Sequence, residues 1–389
     1  MPIVIILSTL ALGVGLFITW LVHTRSGLQI VVDPQSDTVE APATASLPLI
    51  SVIIPARNET RNIRRCMQAL LNQTYPNYEI IVVDDRSTDA TPQILTELVK
   101  GDSHLQVIHG SGLLPGWAGK PHALVQGAAA AHGDWLCFMD ADTFATPGLL
   151  WSTYQMAIQY QADMFSILTD QELGSFWERT ILPLVFLGLS FGFPAGRVND
   201  PTKSDAISNG QFILIKRSVY DHIGGHTSVK DRVDEDKAIA IIVKRAGYRL
   251  VLADGRKVAS TRMYTSLPEI WEGWTKNIYL GLLDRLWLLL FGAILGLMVS
   301  IVLPLWLLGG LVWLLFDGGM TAAIVVVEAV VLWGYLLLKR LQACKAFDIP
   351  GGYAFTFPLG ALIFTAMMVA SAYNVISGRG VLWKGRRYL

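Results

Sequence analysis

Long apolar runs lie near both ends of the chain, and shorter apolar runs alternate with polar residues through its middle. Four of the runs are long enough for a helix that crosses a membrane: residues 2–22, 286–316, 321–338 and 353–376. About 20 helical residues, each rising about 1.5 Å, cross a hydrocarbon core roughly 30 Å thick. The pattern therefore predicts an N-terminal transmembrane anchor in residues 1–24 and a C-terminal transmembrane region over residues 286–378.

The composition supports a chain that lies only partly in water. Hydrophobic residues make up 52% of it and charged residues only 16%, whereas an ordinary globular chain has about 25% charged residues. Lys+Arg and Asp+Glu both number 31, so no net field would draw the chain onto nucleic acid, which is excluded as an expected partner. Three cysteines lie too far apart for a zinc motif or a disulfide framework: Cys66, Cys137 and Cys344.

Basic residues, which prefer the cytoplasmic side of a membrane, flank the apolar runs. They are Arg25, Lys339, Arg340, Lys345 and, in a basic tail over residues 379–389, Arg379, Lys384, Arg386 and Arg387. Four simple crossings cannot place all of them on one side, so one run could be re-entrant, interfacial or folded back at Pro304. The topology of this region therefore stays open. A cleaved signal peptide is disfavoured, because no basic segment precedes the first run.

Between the membrane segments, residues from about 49 to 285 alternate between strand and helix patterns. Short β-branched or apolar runs predict four of the strands, at residues 49–54, 79–83, 105–108 and 135–139. Helical periodicity and Gly or Pro boundaries predict helices between them. This alternation is typical of an α/β fold with a largely parallel sheet. Residues 25–48 are polar and contain prolines, which predicts a linker.

Acidic residues follow directly after two of the predicted strands. Asp84 and Asp85 end one strand, and Asp140 and Asp142 end another. Ligands of open α/β sheets bind beyond the carboxyl ends of the strands, so these acids are expected to meet at one crevice. Like charges about 4 Å apart repel by about 4 kcal/mol at an effective dielectric near 20. A divalent cation, Mg²⁺ or Mn²⁺, would offset that repulsion. A lone Asp-x-Asp is more often a turn, but its place after a buried strand favours the cation.

Four sequence segments together resemble the family 2 glycosyltransferases of GT-A fold. They are residues 51–59 (SVIIPARNE), 83–89 (VDDRSTD), 119–124 (GKPHAL) and 139–143 (MDADT). The resemblance covers about residues 49–280. It implies a Rossmann-like nucleotide-sugar domain over residues 49–285, placed between the N-terminal and C-terminal transmembrane helices. Together with the apolar runs, it leads us to expect an integral membrane protein whose catalytic domain is cytoplasmic.

The resemblance assigns expected roles to the residues of those segments. The pocket for a uridine-type nucleotide is expected to be lined by Pro55, Arg57, Glu59, Asp84 and Asp85. Lys120 is expected near the diphosphate or nucleotide. Asp140 and Asp142 are expected to hold the sugar nucleotide and its metal ion.

A third acidic group, Asp234-Glu235-Asp236, stands at the start of a predicted helix. Acids there often only compensate the helix dipole, which stabilises by about 0.3–1 kcal/mol each. In the resembled family, an acidic pair at a comparable place supplies the base that deprotonates the acceptor hydroxyl. Asp236 is therefore the candidate base of an inverting reaction, with Glu235 the second choice. Such proton removal typically gives 10²–10⁴-fold acceleration.

The chain departs from the polymer-forming members of that family at one motif. Those members usually carry Gln-x-x-Arg-Trp, whereas residues 271–277 here are WEGWTKN. Trp274 and Lys276 could contact diphosphate or acceptor, and an interfacial aromatic belt explains them equally well. Gln211 lies in a stretch that resembles the acceptor-side loop, which makes it a weak acceptor-side candidate.

The acceptor expected from the sequence is a lipid. Residues 181–195 form an apolar stretch too short to span a bilayer, and we expect it at the interface or in a buried helix. The overall layout resembles enzymes that glycosylate carotenoids, hopanoids or other glycolipids, and the predicted reaction moves a sugar from a UDP-sugar to a membrane lipid hydroxyl. Two alternatives are a processive polysaccharide synthase and a non-catalytic membrane component. An oxidoreductase is disfavoured, because no Gly-x-Gly-x-x-Gly follows the first strand.

Overall fold

The computed structural model describes most of the chain. The described residues are 2–25, 30–34, 47–281, 286–383 and 386–388. They fall into two compact units. The sheet unit comprises Leu28–Glu172 and Ala195–Met263, and the helical unit comprises Met1–Gly27, Leu173–Pro194 and Tyr264–Leu389.

The described strands form one large sheet, a small sheet and a hairpin. In chain order they are β1 (Ile50–Ala56), β2 (Tyr78–Asp84), β3 (Leu105–His109), β4 (Trp135–Met139), β5 (Thr143–Ala145), β6 (Met164–Leu168), β7 (Asp170–Gln171), β8 (Phe212–Lys216), β9 (Leu250–Asp254), β10 (Ala259–Thr261), β11 (Val381–Trp383) and β12 (Arg386–Tyr388). The large sheet has the order β3-β2-β1-β4-β8-β6-β9. Its pairs are parallel except where β8 meets β4 and β6, so the predicted α/β class with a largely parallel sheet is confirmed.

The described helices belong partly to the sheet unit and partly to the helical unit. In chain order they are α1 (Pro2–Arg25), α2 (Ile63–Leu71), α3 (Thr91–Val99), α4 (Gly119–Ala130), α5 (Leu149–Gln159), α6 (Phe176–Gly192), α7 (Ala195–Val198), α8 (Arg217–His222), α9 (Glu235–Arg245), α10 (Leu267–Gly281), α11 (Leu286–Leu297), α12 (Leu303–Asp317), α13 (Met320–Ala346) and α14 (Phe357–Ile376). A 3₁₀ turn, Gly225–Val229, precedes α9.

The apolar periodicity of α2 and β4 explains how they pack. All five residues of β4 are buried, because the strand lies between β1 and β8 inside the sheet. On α2 the buried residues are Ile63, Cys66, Met67 and Leu70, the 3.6-residue spacing of one helical face. Thr91 is of a residue type that often caps helices, but it does not cap α3. Thr91 lies inside α3, and its hydroxyl instead accepts the backbone N–H of Glu59 at 2.8 Å.

The register of the strands brings their carboxyl ends to one edge of the sheet. Ala56 pairs with Asp84, and Asp84 pairs with His109 on the next strand. Ile53 pairs with Phe138, so Pro55, two residues further on, is level with Asp140. The loops after β1, β2 and β4 therefore leave the sheet side by side.

A glycine before β4 allows the close approach of that strand to β1. The N–H of Gly133 donates to Ser51 Oγ at 2.7 Å, and an added Cβ would lie 2.6 Å from the carbonyl oxygen of Leu49. We expect Gly133→Ala to lower stability by about 1–3 kcal/mol, because backbone atoms of β1 would have to move. Thermal unfolding of the purified full chain in detergent measures this. Gly112→Ala is the matched control, since a Cβ there meets nothing within 4 Å, and equal melting temperatures would contradict the prediction.

Part of the predicted linker packs on the sheet. Val31 forms a parallel bridge with Asp254, and the N–H of Val32 donates to the Asp254 carbonyl at 2.8 Å. Val32 is fully buried. Residues 30–34 thus extend the β9 edge of the sheet, whereas residues 26–29 and 35–46 of the predicted linker lie outside the described residues.

In the helical unit, three described helical runs are long and apolar enough to cross a membrane: Leu286–Asp317, Met320–Ala346 and Gly351–Ile376. The chain does not fold back at Pro304. The run from α11 to α12 continues through a π turn, Met298–Val302, which accommodates a proline that has no N–H to donate. Residues 2–25 form the predicted N-terminal helix, but its described apolar part, Ile3–Ile18, is shorter than those three.

The apolar segment predicted at residues 181–195 belongs to α6 of the helical unit, up to Gly192. A capping box between Ser175 and Glu178 begins this helix. Pro183 lies inside it and has no N–H for the carbonyl of Arg179, four residues earlier. Arg340 of α13 donates from Nη2 to that carbonyl at 2.7 Å. The guanidinium thereby joins α13 to the turn of α6 in which Pro183 removes a backbone hydrogen bond.

Candidate active site

A narrow cleft in the sheet unit collects charged side chains from three separate segments. Its charged lining residues are Lys120 near the start of α4, Asp140 after β4, and Glu235 and Asp236 at the start of α9. Pro55 of β1 also lines it. Helix α9 begins at Glu235, and the carbonyl of the preceding Asp234 accepts the N–H of Ala238 at 3.0 Å. The Asp234 side chain is bound by Arg232, whose Nε and Nη2 donate to its two carboxylate oxygens at 2.8 and 2.7 Å.

Lys120 bridges two carboxylates from distant parts of the chain. Its Nζ lies 2.7 Å from Asp140 Oδ1 and 2.7 Å from Glu235 Oε1. Burial alone would lower the pKa of Lys120, but Asp140, Glu235 and Asp236 together raise it above its usual value. Lys120 therefore stays charged in the cleft and holds the acids of β4 and α9 close together.

Asp236 is held by backbone amides on both sides of its carboxylate. Oδ2 accepts the N–H of Gly210 at 3.0 Å, and Oδ1 accepts the N–H of Lys237 at 2.7 Å. Burial, and then the neighbouring charge of Glu235, raise the pKa of Asp236 to about 6, although Lys120 and the two amides oppose this. A carboxylate with such a pKa is ionised at neutral pH and is a stronger base than an ordinary aspartate.

The backbone of Gly210 lies close to the side chains of Lys120 and Asp236. An added Cβ at Gly210 would lie 2.9 Å from Lys120 Nζ and 3.1 Å from Asp236 Oδ2. The absence of a side chain there lets the Gly210 amide reach the carboxylate while Lys120 remains in place. The loop between α7 and β8 thus fixes the orientation of Asp236.

The residues predicted to line the nucleotide pocket lie together after β1 and β2. Arg57 Nη1 donates to the carbonyl of Asp85 at 2.8 Å and lies 3.8 Å from its Oδ2. Asp84 is buried, and its Oδ1 accepts the N–H of Ser87 at 3.1 Å. The N–H of Glu59 is bound by Thr91, as described above. These hydrogen bonds hold the two loops side by side, with Pro55 linking them to the charged cleft.

Asp142 follows the turn after β4, one residue beyond Ala141. It is not among the lining residues of the cleft that contains Lys120. Its charge is nevertheless close to the buried thiol of Cys66, whose pKa is raised by burial and then by Asp142, Glu59 and Asp140. Three predicted acids thus lie close enough to the first turn of α2 to act on the Cys66 thiol.

Among the described residues, no group of three or more His, Cys, Asp or Glu side chains is arranged to hold a metal ion. Asp140 and Asp142 nevertheless fit a hard divalent cation chemically, because Mg²⁺ is commonly bound by one or two carboxylates and completes its coordination with water and substrate phosphates. A cation here would share Asp140 with Lys120. The metal-binding roles of Asp140 and Asp142 remain predictions.

The three weakly predicted acceptor-side residues belong to different units of the structure. Gln211 is buried in the sheet unit, and its Oε1 accepts from the Thr169 hydroxyl and from Asn209 Nδ2, the latter at 3.0 Å. Trp274 and Lys276 lie on α10 of the helical unit. The ring of Trp274 packs edge-on against Phe186 of α6. Gln211 therefore orients its own loop, and acceptor contacts of all three stay predictions.

Sequence reasoning missed two cleft residues, Gly210 as a spacer and His226 as a lining side chain. Gly210 lies in the stretch already noted beside Gln211, but its role depends on contacts with Lys120 and Asp236. For His226 the available signal was the Gly224-Gly225 pair before it. Both glycines have positive φ, of 78° and 50°, which only glycine adopts readily.

Comparison with known proteins identifies the domain that contains this site. The family model described as Glycosyl transferase family 2 matches residues 51–224. Residues 51–224 therefore match a family 2 glycosyltransferase domain, in agreement with the resemblance found in the sequence. The match includes Lys120 and Asp140 and ends before Glu235 and Asp236.

Curated relatives include enzymes whose names specify lipid-type acceptors. A beta-monoglucosyldiacylglycerol synthase from Nostoc sp. is 31% identical over 189 residues, which are 46% of this chain and 38% of that relative. A 4,4'-diaponeurosporenoate glycosyltransferase from Staphylococcus aureus is 26% identical over 270 residues, or 65% of this chain and 69% of that relative. The matched region thus spans less than half the length of the Nostoc enzyme.

A solved structure has the same fold over nearly the whole chain. A mannosyltransferase from Pyrobaculum calidifontis, in complex with GDP-Man and Mn²⁺, matches with a TM-score of 0.51 and 17% identity and covers 97% of this chain and 99% of its own. At that identity the likeness concerns the fold alone. It confirms the predicted GT-A fold.

Proposed function

We propose that this protein transfers a sugar from a UDP-sugar to a hydroxyl group of a membrane lipid, with inversion at the anomeric carbon. The observation that carries the proposal is the convergence of Lys120, Asp140, Glu235 and Asp236 in one cleft at the carboxyl edge of the sheet. That edge is where open α/β sheets bind their ligands. The cleft combines an ammonium group for a diphosphate with a carboxylate suited to accept a proton.

The chemistry assigned to the cleft is a direct displacement. Asp236 accepts the proton of the acceptor hydroxyl, the hydroxyl oxygen forms a bond to the anomeric carbon, and the bond from that carbon to the diphosphate oxygen breaks. The nucleoside diphosphate leaves with the bonding electron pair. Attack opposite the departing group inverts the configuration. Lys120 faces the developing negative charge, and the pKa of Asp236 near 6 makes its carboxylate the available base at neutral pH.

The nucleotide is assigned to the loops after β1 and β2. Arg57, Glu59, Asp84 and Asp85 lie there around Pro55. A divalent cation, Mg²⁺ or Mn²⁺, held by Asp140 and Asp142, would supply additional positive charge to the diphosphate. The UDP assignment follows from the sequence resemblance, and the GDP-Man of the Pyrobaculum structure makes a guanosine donor the alternative to be tested.

Two observations support a lipid acceptor held at a membrane. Three helical runs are apolar and long enough to cross a bilayer, and the names of the Nostoc and Staphylococcus relatives specify a diacylglycerol lipid and a carotenoid acid. A membrane-embedded enzyme gains access to such acceptors without extracting them into water. The catalytic domain is assigned to the cytoplasmic side, where nucleotide sugars are made.

Transfer assays on the purified full chain test this proposal. The protein is placed in nanodiscs with a lipid extract from its source cells, Mg²⁺ or Mn²⁺, and radiolabelled UDP-glucose, UDP-galactose, UDP-N-acetylglucosamine or GDP-mannose. We expect label from one UDP-sugar in the organic phase, and NMR of the product should show the anomeric configuration opposite to that of the donor. Asp142→Ala should abolish incorporation, whereas Asp221→Ala, an exposed acid on α8, should not.

Other results of these assays would change or overturn the proposal. Label from GDP-mannose alone would replace the uridine donor, and retained configuration would exclude direct displacement by an acceptor. Label in water-soluble polymer would favour a polysaccharide synthase. Absence of label from all four donors in every fraction would overturn the proposed function.

A further inference from the structure

A buried histidine lines the cleft beside Lys120 and has no part in the chemistry proposed above. His226 is 1% exposed and lies on the 3₁₀ turn Gly225–Val229. Its ring packs edge-on against Phe138 of β4, with centroids 4.6 Å apart. Both His226 and Phe138 line the cleft that contains Asp140 and Asp236. The imidazole thus lies next to the proposed reaction centre, in the wall of the cleft.

One tyrosine holds the polar side of this imidazole. The hydroxyl of Tyr220 accepts the backbone N–H of His226 at 3.1 Å and lies 3.0 Å from its Nδ1. While its oxygen accepts that backbone proton, the hydroxyl can donate its own proton to Nδ1 in the tautomer whose ring proton is on Nε2. The ring proton of the neutral imidazole is then on Nε2. Donation from Tyr220 therefore stabilises the tautomer with its proton on Nε2.

The ring stays neutral in this position. Burial, with a further contribution from the charge of Lys120, lowers the pKa of His226 to about 3. None of the described residues forms a hydrogen bond with Nε2. The wall of the cleft therefore carries a neutral N–H donor among charged groups. A ligand atom in the cleft can accept this donor and form a hydrogen bond with it.

The backbone around His226 is built to hold the Tyr220 contact. Gly225 has a φ of 50°, and a Cβ on it would lie 2.4 Å from the Tyr220 ring. Only glycine brings the following N–H onto the tyrosine hydroxyl. At the other end of the turn, the carbonyl of Lys230 accepts the N–H of Ala118, which precedes α4. The turn thus connects the histidine to the helix that carries Lys120.

We propose that Nε2–H of His226 donates a hydrogen bond to a hydroxyl oxygen of the donor's sugar and thereby helps to decide which sugar is transferred. This assignment rests on the proposed function. The choice of a sugar hydroxyl follows from charge. Lys120 already provides a cation for the diphosphate, whereas a neutral N–H in a wall that also contains Phe138 suits an uncharged oxygen. A site that pairs with a hydroxyl also rejects the analogue that lacks it, because its own buried donor is then unpaired.

Monodeoxy donors test the assignment in the full-length protein. The wild type and His226→Phe are compared in nanodiscs with the preferred UDP-sugar and with each of its monodeoxy analogues, and kcat/KM is measured for each pair. We expect the wild type to discriminate by roughly tenfold to a hundredfold against the analogue that lacks the hydroxyl bound by Nε2. In His226→Phe that discrimination should fall to nearly onefold, while discrimination at the other positions stays the same.

Two further variants separate recognition from folding. Tyr220→Phe keeps the aromatic packing but removes the hydroxyl that selects the tautomer, so discrimination at the same sugar position should weaken and that at other positions should not. His222→Phe changes an exposed histidine on α8 and should match the wild type throughout. If His226→Phe does not fold, His226→Gln provides the same comparison, with a side-chain amide donor that should restore part of the discrimination.

The outcomes distinguish this inference from the proposed function. Unchanged discrimination at every sugar position in an active His226→Phe, or in an active Tyr220→Phe, would overturn the role of His226 alone. Loss of rate by the same factor for all analogues would show that the histidine only supports the fold. A wild type that transfers no sugar from any UDP-sugar would overturn the proposed function, and the role of His226 with it.

Discussion

Replacing Asp236 by Asn should lower the rate of sugar transfer by about 10²–10⁴-fold, the usual contribution of general base catalysis. The amide can still accept a hydrogen bond from Gly210 or Lys237, so the loop and the start of α9 should keep their arrangement. It cannot take the proton of the acceptor hydroxyl. Donor binding, measured by calorimetry with the UDP-sugar, should therefore remain close to that of the wild type while turnover is lost.

The pH dependence of the wild type gives an independent test of the same residue. Asp236 acts as a base only when ionised, and its pKa is about 6 in the folded protein. The rate should therefore rise as the pH increases through about 6 and level off above 7. The charged groups nearest to it act in opposite directions, since Glu235 raises this pKa and Lys120 lowers it. Initial rates between pH 5 and 8 at saturating donor and acceptor measure the curve.

Variants of the neighbouring acids assign the effect to one carboxylate. Glu235→Gln removes the second candidate base and a neighbouring charge. The acid limb, which is the fall in rate at low pH, should therefore move to lower pH while most of the activity is retained. Asp231→Asn, at an exposed acid just before α9, should leave the curve unchanged. Wild-type turnover in Asp236→Asn would give the role of base to another group. The same conclusion would follow if the fall in rate at low pH disappeared in Glu235→Gln but persisted in Asp236→Asn.

The strands that carry the site could be predicted from the sequence alone. The predicted strands at residues 79–83, 105–108 and 135–139 lie within β2, β3 and β4, because uninterrupted apolar runs bounded by turn residues leave little choice of structure. The placement of Asp84 and Asp140 at the sheet edge follows from the parallel pairing of their strands. The face of α2 could be predicted for the same reason, from spacing along a single helix.

Contacts between distant segments could not be predicted from such local patterns. Lys120 and Glu235 are far apart in sequence, and their ion pair depends on how α4 and α9 pack. Thr91 has the residue type of a helix cap, yet its hydroxyl serves Glu59 of another loop. The tautomer of His226 depends on a tyrosine hydroxyl brought close by two glycines of positive φ. In each case tertiary packing decides between several local possibilities.

Replacing Lys120 by Met should produce the second large loss, of about 10²–10³-fold in turnover, typical of removing one preorganised electrostatic group from an active site. Methionine retains the length and the apolar stem of the side chain but not the ammonium group that lies 2.7 Å from both Asp140 and Glu235. Two effects should combine. The diphosphate loses a positive charge that faces it, and the carboxylates lose the cation that holds them together.

The second effect gives Lys120→Met a distinctive pH profile. Because Lys120 lowers the pKa of Asp236, its removal should raise that pKa, and the acid limb of the remaining activity should move above pH 6. A residue that only supported the fold would lower activity without moving the limb. Lys100→Met, at an exposed lysine after α3, controls for the loss of one positive charge and should change neither quantity. A limb that stays at pH 6 in Lys120→Met would show that the ammonium group does not act on Asp236, and the proposed coupling between the α4 lysine and the α9 base would have to be abandoned.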